Sequence, residues 1–506
     1  MRPWTSLVLP LLAVIAPISA SRQEHFAVST SAYSPTQVST SIELGGSLTR
    51  SSTTYQLVKA GEAGRGGDEW VVGIKHGGKT GGWLEATQGK GGKRSKVDLV
   101  PIGSNDDIHY YSLTLPPSTK DDAKATVTIS TVLSHASKPK PEVLPQNAES
   151  IYLMWEGDLL APLAGLSTEQ KSRIEEFKVR VKTPTPRVLS AKEPEGFAVA
   201  HAQGSAMVTF TPKGSVANLG PQIAAIHYQQ PEAVASIRDL NRIVELSHWG
   251  SNLAIQDNIE LSNSGPALDG NFARIDHQKA TMMRRQNNLA ITSLSISLPP
   301  HAHAAYYYDS VGNVSTSRFR PSTSPSASGF LPSQQKKKNS ASVASPALLE
   351  LTPRYPLLGG WNFSFTIGYD LPLQEWLKVR KGGEGPKYVA AVPFLTPIKD
   401  VAVDKVRLEI RLPEGARNVR AISPYPVEQH PLTTVKTYLD SIGRPTVVME
   451  KTGCTDRHGE NVLIEYDLPL LVDLLQKPLA CASVLSSIFL IIIVMKRVSF
   501  GIDGGK

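Results

Sequence analysis

Pro478–Met495, with the sequence PLACASVLSSIFLIIIVM, is the stretch around which the 506-residue chain is organised. It contains no charged residue. As a helix, its eighteen residues span roughly 27 Å, just enough to cross the apolar core of a bilayer. Because lipid offers no partner to backbone polar groups, the sequence predicts one transmembrane helix over 478–495. The alternative is a buried helix that ends a soluble domain.

The charges that follow this stretch predict its orientation. Lys496 and Arg497 come directly after it. Positive flanking residues favour the cytosolic side of a membrane, so we expect 496–506 to be a short cytosolic tail. Everything upstream of the helix is then expected on the lumenal or extracellular side.

The N-terminus supports the same topology. Arg2 precedes a short apolar run, Leu7–Ile15, and the small residues of Ile18–Ala20 provide a cleavage site. This pattern is typical of a secretory signal peptide, which we assign to 1–20. A removable signal and one C-terminal helix together predict a single-pass type I membrane protein.

Charge and cysteine content exclude several classes of function. The net charge is +8, and the basic residues are dispersed, so nothing indicates nucleic-acid binding. There are two cysteines, Cys454 before the apolar stretch and Cys481 inside it, and they are poorly placed to bridge each other. A chain in the secretory pathway without a disulfide framework depends on core packing, and metal sites of the cysteine type are excluded.

Short runs of alternating apolar residues dominate the predicted lumenal part. Period two places one face of a strand in a core. Many such runs favour a mainly β fold with two antiparallel β-sandwich-like domains, 22–235 and 236–470, divided at the loop-like stretch Gln229–Ala233. A capping box at Ser167 predicts one lumenal helix, Ser167–Phe177. The alternating runs are Leu253–Leu261, Leu294–Leu298, Phe363–Tyr369, Val406–Leu412 and Val462–Leu468.

Two segments contain too few apolar residues to offset the entropy of ordering. Gly61–Gly92 is rich in Gly and Lys, apart from a short apolar piece at Trp70–Val72. Pro321–Pro346 is rich in Ser, Pro and Lys. We expect both to be mobile, the second as an insert (321–346) within the second domain.

Gly73–Thr80 satisfies the P-loop expression G-x-x-x-x-G-K-[ST], and Trp70–Val72 before it is a possible strand. A P-loop requires a helix that begins at the Lys-Thr pair, so that its N-terminus faces the phosphates. Gly81 and Gly82 follow immediately and disfavour such a helix. We interpret the match as a chance product of a Gly- and Lys-rich loop.

Histidines give two further candidates. His301 and His303 have the spacing of a metal pair on one strand face, but Pro299 and Pro300 precede them and favour a surface turn. His248-Trp249 is interpreted as a core pair at a strand end, with a catalytic role as the alternative. No nucleophile elbow supports a Ser/His/Asp arrangement.

Two sequons are candidates for N-glycosylation, Asn313-Val-Ser and Asn362-Phe-Ser. Asn313 follows Gly312 in a polar turn, and we expect it to be accessible. Asn362 opens an alternating strand, which makes it the weaker candidate.

Several short sequence motifs in the second predicted domain resemble those of the ribophorin I family, the first subunit of the oligosaccharyltransferase complex. They occur in the family's order over roughly 225 residues, followed by the single anchor. The insert 321–346 departs from the pattern, and the short tail is similar to the fungal form. The motifs are Ser247–Gly250, Tyr306–Ser317, Pro353–Trp361, Gly368–Pro372, Leu412–Ala416, Ser423–Tyr425 and Thr437–Pro445.

The resemblance implies a non-catalytic subunit of the endoplasmic reticulum membrane. Its complex transfers a preassembled oligosaccharide from dolichol diphosphate to Asn in Asn-x-Ser/Thr of nascent polypeptides. Catalysis and the metal belong to another subunit, so no cofactor is expected here. The implied partners are the catalytic and other subunits, together with the translocon and nascent polypeptides, and the implied role is complex assembly and acceptor presentation.

Two sets of residues are candidates for contact with those partners. Ser483, Ser486 and Ser487 lie on one face of the predicted transmembrane helix, and small residues let such helices approach closely. Tyr306–Tyr308 and Gly359–Trp361 offer aromatic contact surface. The alternatives are a neutral anchor and aromatic residues that fill the core of the second domain.

Two other classes of protein remain open. A cell-surface adhesion or receptor ectodomain would also be built of β-sandwiches, although the short tail and scarcity of cysteines disfavour it. A free-standing lumenal enzyme of peptidase type is disfavoured because the zinc motif H-E-x-x-H is absent from the sequence.

Overall fold

The computed structural model describes most of the chain between Tyr33 and Arg497, and the predicted signal peptide (1–20) and most of the tail (496–506) lie outside it. The described ranges are 33–59, 69–75, 82–89, 94–105, 108–115, 125–283, 289–322, 345–382, 385–437, 440 and 442–497.

The chain is mainly β, as predicted. Strands β1 to β16, in chain order, are Tyr33–Leu44, Leu48–Lys59, Glu69–Lys75, Gly82–Gln88, Ser95–Val97, Leu99–Asn105, Ile108–Thr114, Ala125–Ser134, Ser137–Pro139, Val143–Leu144, Ile151–Asp158, Glu176–Lys182, Val188–Lys192, Phe197–His201, Met207–Pro212 and Ile223–Gln230.

Strands β17 to β33, in chain order, are Ala235–Ser247, Asn252–Asn263, Ala267–Leu268, Leu294–Leu298, His303–Asp309, Gly312–Asn313, Ser317–Arg320, Ala347–Leu351, Asn362–Pro372, Leu377–Gly382, Gly385–Pro393, Ala402–Arg411, Arg417–Ile422, Glu428–Gln429, Thr433–Val435, Arg444–Cys454 and Asn461–Asp467. The helices α1 to α4 are Thr168–Ser172, Arg274–Met282, Leu373–Trp376 and Leu470–Arg497, and short 3-10 turns lie at Ala161–Leu163, Val216–Asn218 and Asp456–Gly459.

The alternation in the sequence produces the strands in the way expected. In β18, Leu253, Ile255, Ile259 and Leu261 are all buried on one face, which also contains Asp257, and the even-numbered residues between them lie on the other face of the sheet. The same parity rule holds in β28, where Val406, Leu408 and Ile410 face the core and the residues between them are more exposed. Burial of one face therefore specifies the register of these long strands.

Two large sheets organise the packing. An eight-stranded sheet runs β14-β15-β12-β1-β2-β8-β4-β5, and smaller sheets β13-β16-β11-β9 and β3-β7-β6 pack with it. A nine-stranded sheet runs β22-β21-β25-β18-β17-β28-β32-β30, with β31 also on β32. It packs with the sheets β20-β24-β23 and β26-β27-β33-β29.

Most pairings are antiparallel, but two long pairings inside the large sheets are parallel. β1 pairs with β12 in parallel, and β17 pairs with β28 in the same way. A short parallel pairing joins β10 to β19. The expected all-antiparallel sandwiches are therefore mixed sheets, because distant segments complete the centre of each sheet.

The buried apolar residues form two main clusters. The first core contains Val38, Val127, Val179 and Ile226, among others from β1 to β16. The second core contains residues of β17 to β33 such as Val406. Leu289, Ala290 and Leu358 come from later in the chain but pack in the first core, and the predicted division at 235/236 stays a prediction.

The predicted helix at Ser167 and the two segments expected to be mobile can be compared with the structure. The capping box at Ser167 is present, but the helix ends at Ser172, since Glu176–Lys182 pairs with β1 instead. The expected mobility of Gly61–Gly92 is wrong for Gly82–Gln88, which pairs with β8 along its full length. The insert 321–346 lies outside the described residues, apart from its first two and last two positions.

Candidate functional site

Helix α4 follows the last strand after only Leu468 and Pro469. Its stretch Pro478–Arg497 is, within the described ranges, the helix long and apolar enough to cross a membrane, and none of it is buried in the chain. The predicted helix over 478–495 is therefore confirmed as a helix. Cys481 within it and Cys454 in β32 are both free, as expected.

Two of the three serines of α4, Ser483 and Ser487, use their hydroxyls within the helix. Ser483 Oγ donates to the Ala480 carbonyl at 2.8 Å, and Ser487 Oγ donates to the Ser483 carbonyl at 2.8 Å. Such bonding leaves little capacity for hydrogen bonds to another helix. What the face offers a neighbour is its small size, which permits close packing.

The sheet β26-β27-β33-β29 leads directly into α4, and its outer face is basic. Arg380, Lys387, Asp467 and Arg417 are cross-strand neighbours in one row, three residues before α4 begins. The next row on the same face contains Lys378, Val389, Glu465 and Arg420. A third row contains Ala391, Leu463 and Ile422. We call these three rows the β33 face.

The cations of the β33 face outnumber its two carboxylates, Asp467 and Glu465, by five to two. Within the described ranges none of its five Lys and Arg side chains forms an ion pair, and Asp467 accepts instead from Asn418 Nδ2 at 2.9 Å. Leu463 and Ile422 are 40% and 38% exposed, whereas Ile464 on the opposite face is fully buried. The face therefore combines excess positive charge with exposed apolar surface, close to the start of α4.

The two sequons lie in different environments. Asn313 is exposed in the short strand β22, directly opposite Tyr308 of β21. Asn362 is half-buried at the start of β25, opposite Ser262. With its amide oxygen 2.9 Å from Arg238 Nη1, its nitrogen donates to Ser262 Oγ at 3.1 Å. A glycan on Asn362 would replace that contact, so accessibility favours Asn313.

The P-loop-like match at Gly73–Thr80 begins inside strand β3, which runs to Lys75. A Cβ on Gly73 would lie 2.5 Å from Gly165 Cα, so the glycine permits two backbone segments to touch. The residues 76–80 lie outside the described ranges. The described part of the match has a packing reason and does not form a phosphate loop.

The histidine candidates separate in the structure. His248 is half-buried, with Nε2 2.8 Å from the Tyr466 hydroxyl and its ring against Tyr388. Trp249 beside it is 54% exposed, so the expected core position is wrong for this tryptophan, which lies at the tip of the β17–β18 hairpin.

His301 lies in an exposed turn, and the exposed His303 is the first residue of β21. His301 Nδ1 is 2.7 Å from Glu375 Oε1, and His303 Nδ1 is 3.2 Å from the His301 carbonyl. Within the described ranges, no group of three or more His, Cys, Asp or Glu side chains is arranged to hold a metal ion.

The aromatic candidates divide between core and surface. Tyr307 is buried, whereas Tyr306 and Tyr308 are 43% and 38% exposed on the opposite face of β21. Trp361 packs against both cores, and Gly359 lies so close to the Pro266 carbonyl that a Cβ would not fit. Tyr306 and Tyr308 therefore remain as contact surface, while Gly359 and Trp361 serve packing.

A fully buried ion pair was not anticipated from the sequence. Arg242 Nη1 donates to both oxygens of Asp257, at 2.9 and 2.8 Å, and neither side chain is exposed. Arg242 Nη2 also donates to the Tyr369 hydroxyl at 3.1 Å. Burial raises the pKa of Asp257, and the Arg242 charge opposes that effect. Asp257 interrupts the alternating apolar residues of β18, between Ile255 and Ile259. This charged residue at a position expected to be buried was the sequence feature that could have indicated the pair.

The first core also encloses a cleft of about 550 Å³. The residues that line it include Thr40, Ser51 and Thr131 on the large sheet and Trp155 on β11. At its edge Lys75 Nζ lies 3.4 Å from Asp158 Oδ2. Asp158 Oδ1 also accepts two backbone N–H groups, from Leu160 and Gln222, so the carboxylate is fixed in place.

Comparison with known proteins decides the family. The model of the family described as Ribophorin I matches residues 34–496, which includes both cores and nearly all of α4. This chain belongs to the ribophorin I family.

Curated members of similar sequence carry the name of a glycosyltransferase subunit. Dolichyl-diphosphooligosaccharide–protein glycosyltransferase subunit 1 of Caenorhabditis elegans is 29% identical over 415 residues, which cover 81% of this ribophorin I chain and 64% of that protein. Subunit 1A of Arabidopsis thaliana is 29% identical over 432 residues, 83% of this chain and 63% of that protein. The chain therefore spans less than two thirds of the length of these two relatives.

Solved structures add little to the family assignment. An M1 zinc metallopeptidase from Deinococcus radiodurans is 11% identical, with 46% of this chain and 42% of that chain covered and a TM-score of 0.25. Leukotriene A4 hydrolase from Saccharomyces cerevisiae is 14% identical, with 42% and 31% covered and a TM-score of 0.25. Scores of this size do not establish a shared fold and carry no functional conclusion.

Proposed function

We propose that this ribophorin I chain is a non-catalytic subunit of an oligosaccharyltransferase complex in the endoplasmic reticulum membrane. The observation that supports this most strongly is the family match over residues 34–496, together with the names of its relatives. In this proposal the complex transfers a preassembled oligosaccharide from dolichol diphosphate to Asn in Asn-x-Ser/Thr. This chain contributes to assembly and acceptor presentation, and another subunit performs the chemistry.

The proposed topology is single-pass type I. The β part lies in the lumen, α4 crosses the membrane, and 496–506 is cytosolic, because Lys496 and Arg497 follow the apolar stretch. A glycan on Asn313 requires that residue to reach the lumen. Protease added to sealed microsomes should therefore leave everything upstream of Pro478 intact, and digestion of the β part would contradict this orientation.

The β33 face and the serine face of α4 are the surfaces that we assign to partner subunits. The two surfaces adjoin along the chain, because β33, the strand shared by all three rows of the face, leads into α4. Arginine and apolar side chains together are typical of protein interfaces, and unpaired cations favour an acidic partner surface. The two surfaces would then hold the same neighbouring subunits above and within the membrane.

Co-purification tests this assignment. The paired changes Arg417→Glu and Arg420→Glu place two like charges against the proposed acidic partner, so recovery of the other subunits in mild detergent should fall several-fold. Higher salt should weaken the wild-type complex toward the same level. The control pair Arg180→Glu and Lys192→Glu makes the same charge change at exposed positions of β12 and β13 and should leave recovery unchanged. Equal recovery for both pairs would contradict the assignment.

The serine face is tested separately. Changing Ser483, Ser486 and Ser487 to Leu keeps α4 helical and apolar but removes the small surface. We expect reduced recovery of partner subunits at an unchanged expression level. Changing Ile491, Ile492 and Ile493 to Leu keeps side-chain size and is the matched control. Full recovery of the complex with the serine variant would reject the proposed face.

Acceptor presentation is best supported by the cleft of the first core. Its hydroxyls can pair with an extended peptide, and Trp155 offers an apolar contact. Thr131→Arg should fill the cleft and reduce photo-crosslinking of an Asn-x-Thr peptide to this chain in the complex, whereas Ser190→Arg on exposed β13 should not. Undiminished crosslinking with Thr131→Arg would place acceptor contact elsewhere.

A further inference from the structure

The hairpin that contains Asn313 places this side chain beside two exposed tyrosines. Tyr308 and Asn313 are directly opposite each other in the antiparallel pair β21–β22, and Asp309 and Gly312 are opposite each other at the turn. Opposite residues of an antiparallel pair project to the same face, with Cβ atoms about 5 Å apart. A group attached to the Asn313 amide therefore starts next to the Tyr308 ring.

The two tyrosine rings form one continuous apolar surface. The rings of Tyr306 and Tyr308 are stacked with centroids 6.1 Å apart and an interplanar angle of 13°. Tyr306 lies over Gly368, where a Cβ would come within 2.0 Å of its Cζ atom. Its hydroxyl donates to Gln256 Oε1 at 3.3 Å. The glycine and the amide hold the Tyr306 ring against the sheet, with its outer side exposed.

The turn of the hairpin is held firmly. Asp309 accepts from the backbone N–H groups of Val311 and Gly312, at 3.0 and 3.1 Å. Arg354 Nη2 donates to the same carboxylate at 3.0 Å, and this contact holds the pKa of Asp309 below its ordinary value. A surface that is already ordered loses little entropy when it binds.

Polar side chains continue the same face beyond the tyrosines. Thr366 Oγ1 and Gln256 Nε2 both donate to Asn258 Oδ1, at 2.8 and 3.2 Å. Sugars present an apolar C–H face that packs on aromatic rings and hydroxyls that pair with amides. The combination of stacked tyrosines, amides and a hydroxyl on a flat sheet has the chemistry of a surface for pyranose rings.

We propose that the first sugars of an N-linked glycan on Asn313 pack on the Tyr308 and Tyr306 rings, so that the modification stabilises the second core. This inference rests on occupancy of the Asn313 sequon and is independent of membership in a glycosyltransferase complex. Tethering at Asn313 favours this glycan over any free sugar, because a tether raises the effective concentration at the tyrosines.

The test uses the full chain from a eukaryotic host, with Asn362→Gln so that one of the two sequons remains. Mass spectrometry first measures occupancy of Asn313, and an unmodified Asn313 overturns the proposal. The melting temperature is then compared before and after enzymatic removal of the glycan. We expect removal to lower it by about 2 °C in the parent, and by nothing measurable in the double variant Tyr306→Ala/Tyr308→Ala.

Control variants separate ring packing from other effects. Tyr306→Phe and Tyr308→Phe keep the rings and should keep the parent's shift, as should Trp249→Ala, which removes an exposed ring from another hairpin. An equal shift in Tyr306→Ala/Tyr308→Ala would overturn the proposal. If that variant does not fold, Tyr308→Ser alone serves for the same comparison.

Two further measurements address mobility and the source of the sugar. Endoglycosidase should trim the native glycan several-fold faster when the tyrosines are absent, because the sugars are then free; an unchanged rate would count against packing. Free chitobiose added to Asn313→Gln should leave the melting temperature unchanged. A shift as large as that of the attached glycan would make the tyrosines a site for another molecule's glycan and overturn the assignment.

Discussion

At the scale of single residues, the Arg242–Asp257 pair lies among apolar neighbours on the inner face of the nine-stranded sheet. Removing one partner leaves a charge buried without compensation. We expect Asp257→Ala or Arg242→Ala to destabilise the second core by about 3–5 kcal/mol. The double variant Arg242→Met/Asp257→Leu should recover much of that loss. Urea unfolding followed by circular dichroism measures both.

An exposed pair provides the control for that prediction. Arg407 and Glu450 lie 3.4 Å apart with side chains 46% and 22% exposed, and such pairs contribute roughly 0–1 kcal/mol. Arg407→Gln should therefore change the unfolding midpoint little. A similar small effect for Asp257→Ala would show that Arg242 reaches water when its partner is removed.

His458 makes stability depend on pH. It is 2% exposed, and burial lowers its pKa from the ordinary 6.5 to about 4. Above pH 6.5 the imidazole is neutral in the folded and unfolded chain, so pH has no effect through this group. Between pH 6.5 and 4 only the unfolded chain takes up the proton, so stability falls with falling pH, by about 3 kcal/mol in total.

The variant His458→Gln isolates this contribution from that of the carboxylates. The difference in unfolding free energy between wild type and variant should be constant above pH 6.5. As the pH is lowered from 6.5 to 4, the wild type should lose unfolding free energy relative to the variant. A difference that does not change over this window would mean that the His458 pKa is not lowered by burial.

At the scale of elements, strand β3 depends on contact between two glycines. A Cβ on Gly73 or Gly165 would lie 2.5 Å or less from the other residue's backbone. Relieving that overlap would require the main chain itself to move. Gly73→Ala should therefore destabilise the first core by about 1–3 kcal/mol, whether or not ATP is present. Gly214→Ala is the control, because nothing lies within 4 Å of its Cβ position. Equal melting temperatures for the Gly73→Ala and Gly214→Ala variants would contradict the packing role of Gly73.

Strands with alternating apolar residues could be predicted from the sequence, because the alternation is visible within a few consecutive residues. Leu253–Leu261 falls within β18 as expected, and Val406–Leu412 falls within β28 except for Leu412, which follows its last residue. The parallel pairing of β17 with β28 depends on chain segments more than 150 residues apart, which no local pattern encodes. Helix α1 shows the same limit, since its start follows from the Ser167 cap and its end from β12 pairing elsewhere.

The candidate sites divide in the same way. Sequons and the serine face of α4 are defined by the sequence itself, so Asn313 and Ser483 could be singled out directly. The β33 face gathers Arg380, Lys387 and Arg417 from three strands, and only the register reveals that they adjoin. Asp257 could have been noticed as a charge on an apolar parity, but its partner Arg242 could not be assigned without the sheet.

At the scale of the whole molecule, the two cores are joined by several specific contacts, in addition to Trp361, which packs against both. Arg50 Nη2 donates to Asp400 Oδ1 at 2.6 Å and to Asp456 Oδ2 at 2.8 Å. Ala402 N donates to Ser47 Oγ at 3.0 Å. The Trp83 ring of β4 packs edge-on against His458, with centroids 5.0 Å apart. These contacts join the eight-stranded sheet to the second core and couple the stability of the two.

Hydrogen exchange read by mass spectrometry tests that coupling. In the wild type, peptides of β1–β2 and of β28–β32 should lose protection at the same urea concentration. Trp83→Ala with Arg50→Ala removes an aromatic contact and two charge-assisted bonds between the cores, a coupling of about 1–3 kcal/mol. The two sets of peptides should then lose protection at different concentrations. Trp249→Ala with Arg180→Ala removes the same residue types from exposed positions and should leave the transitions together; separation already in the wild type would show that the two cores are independent.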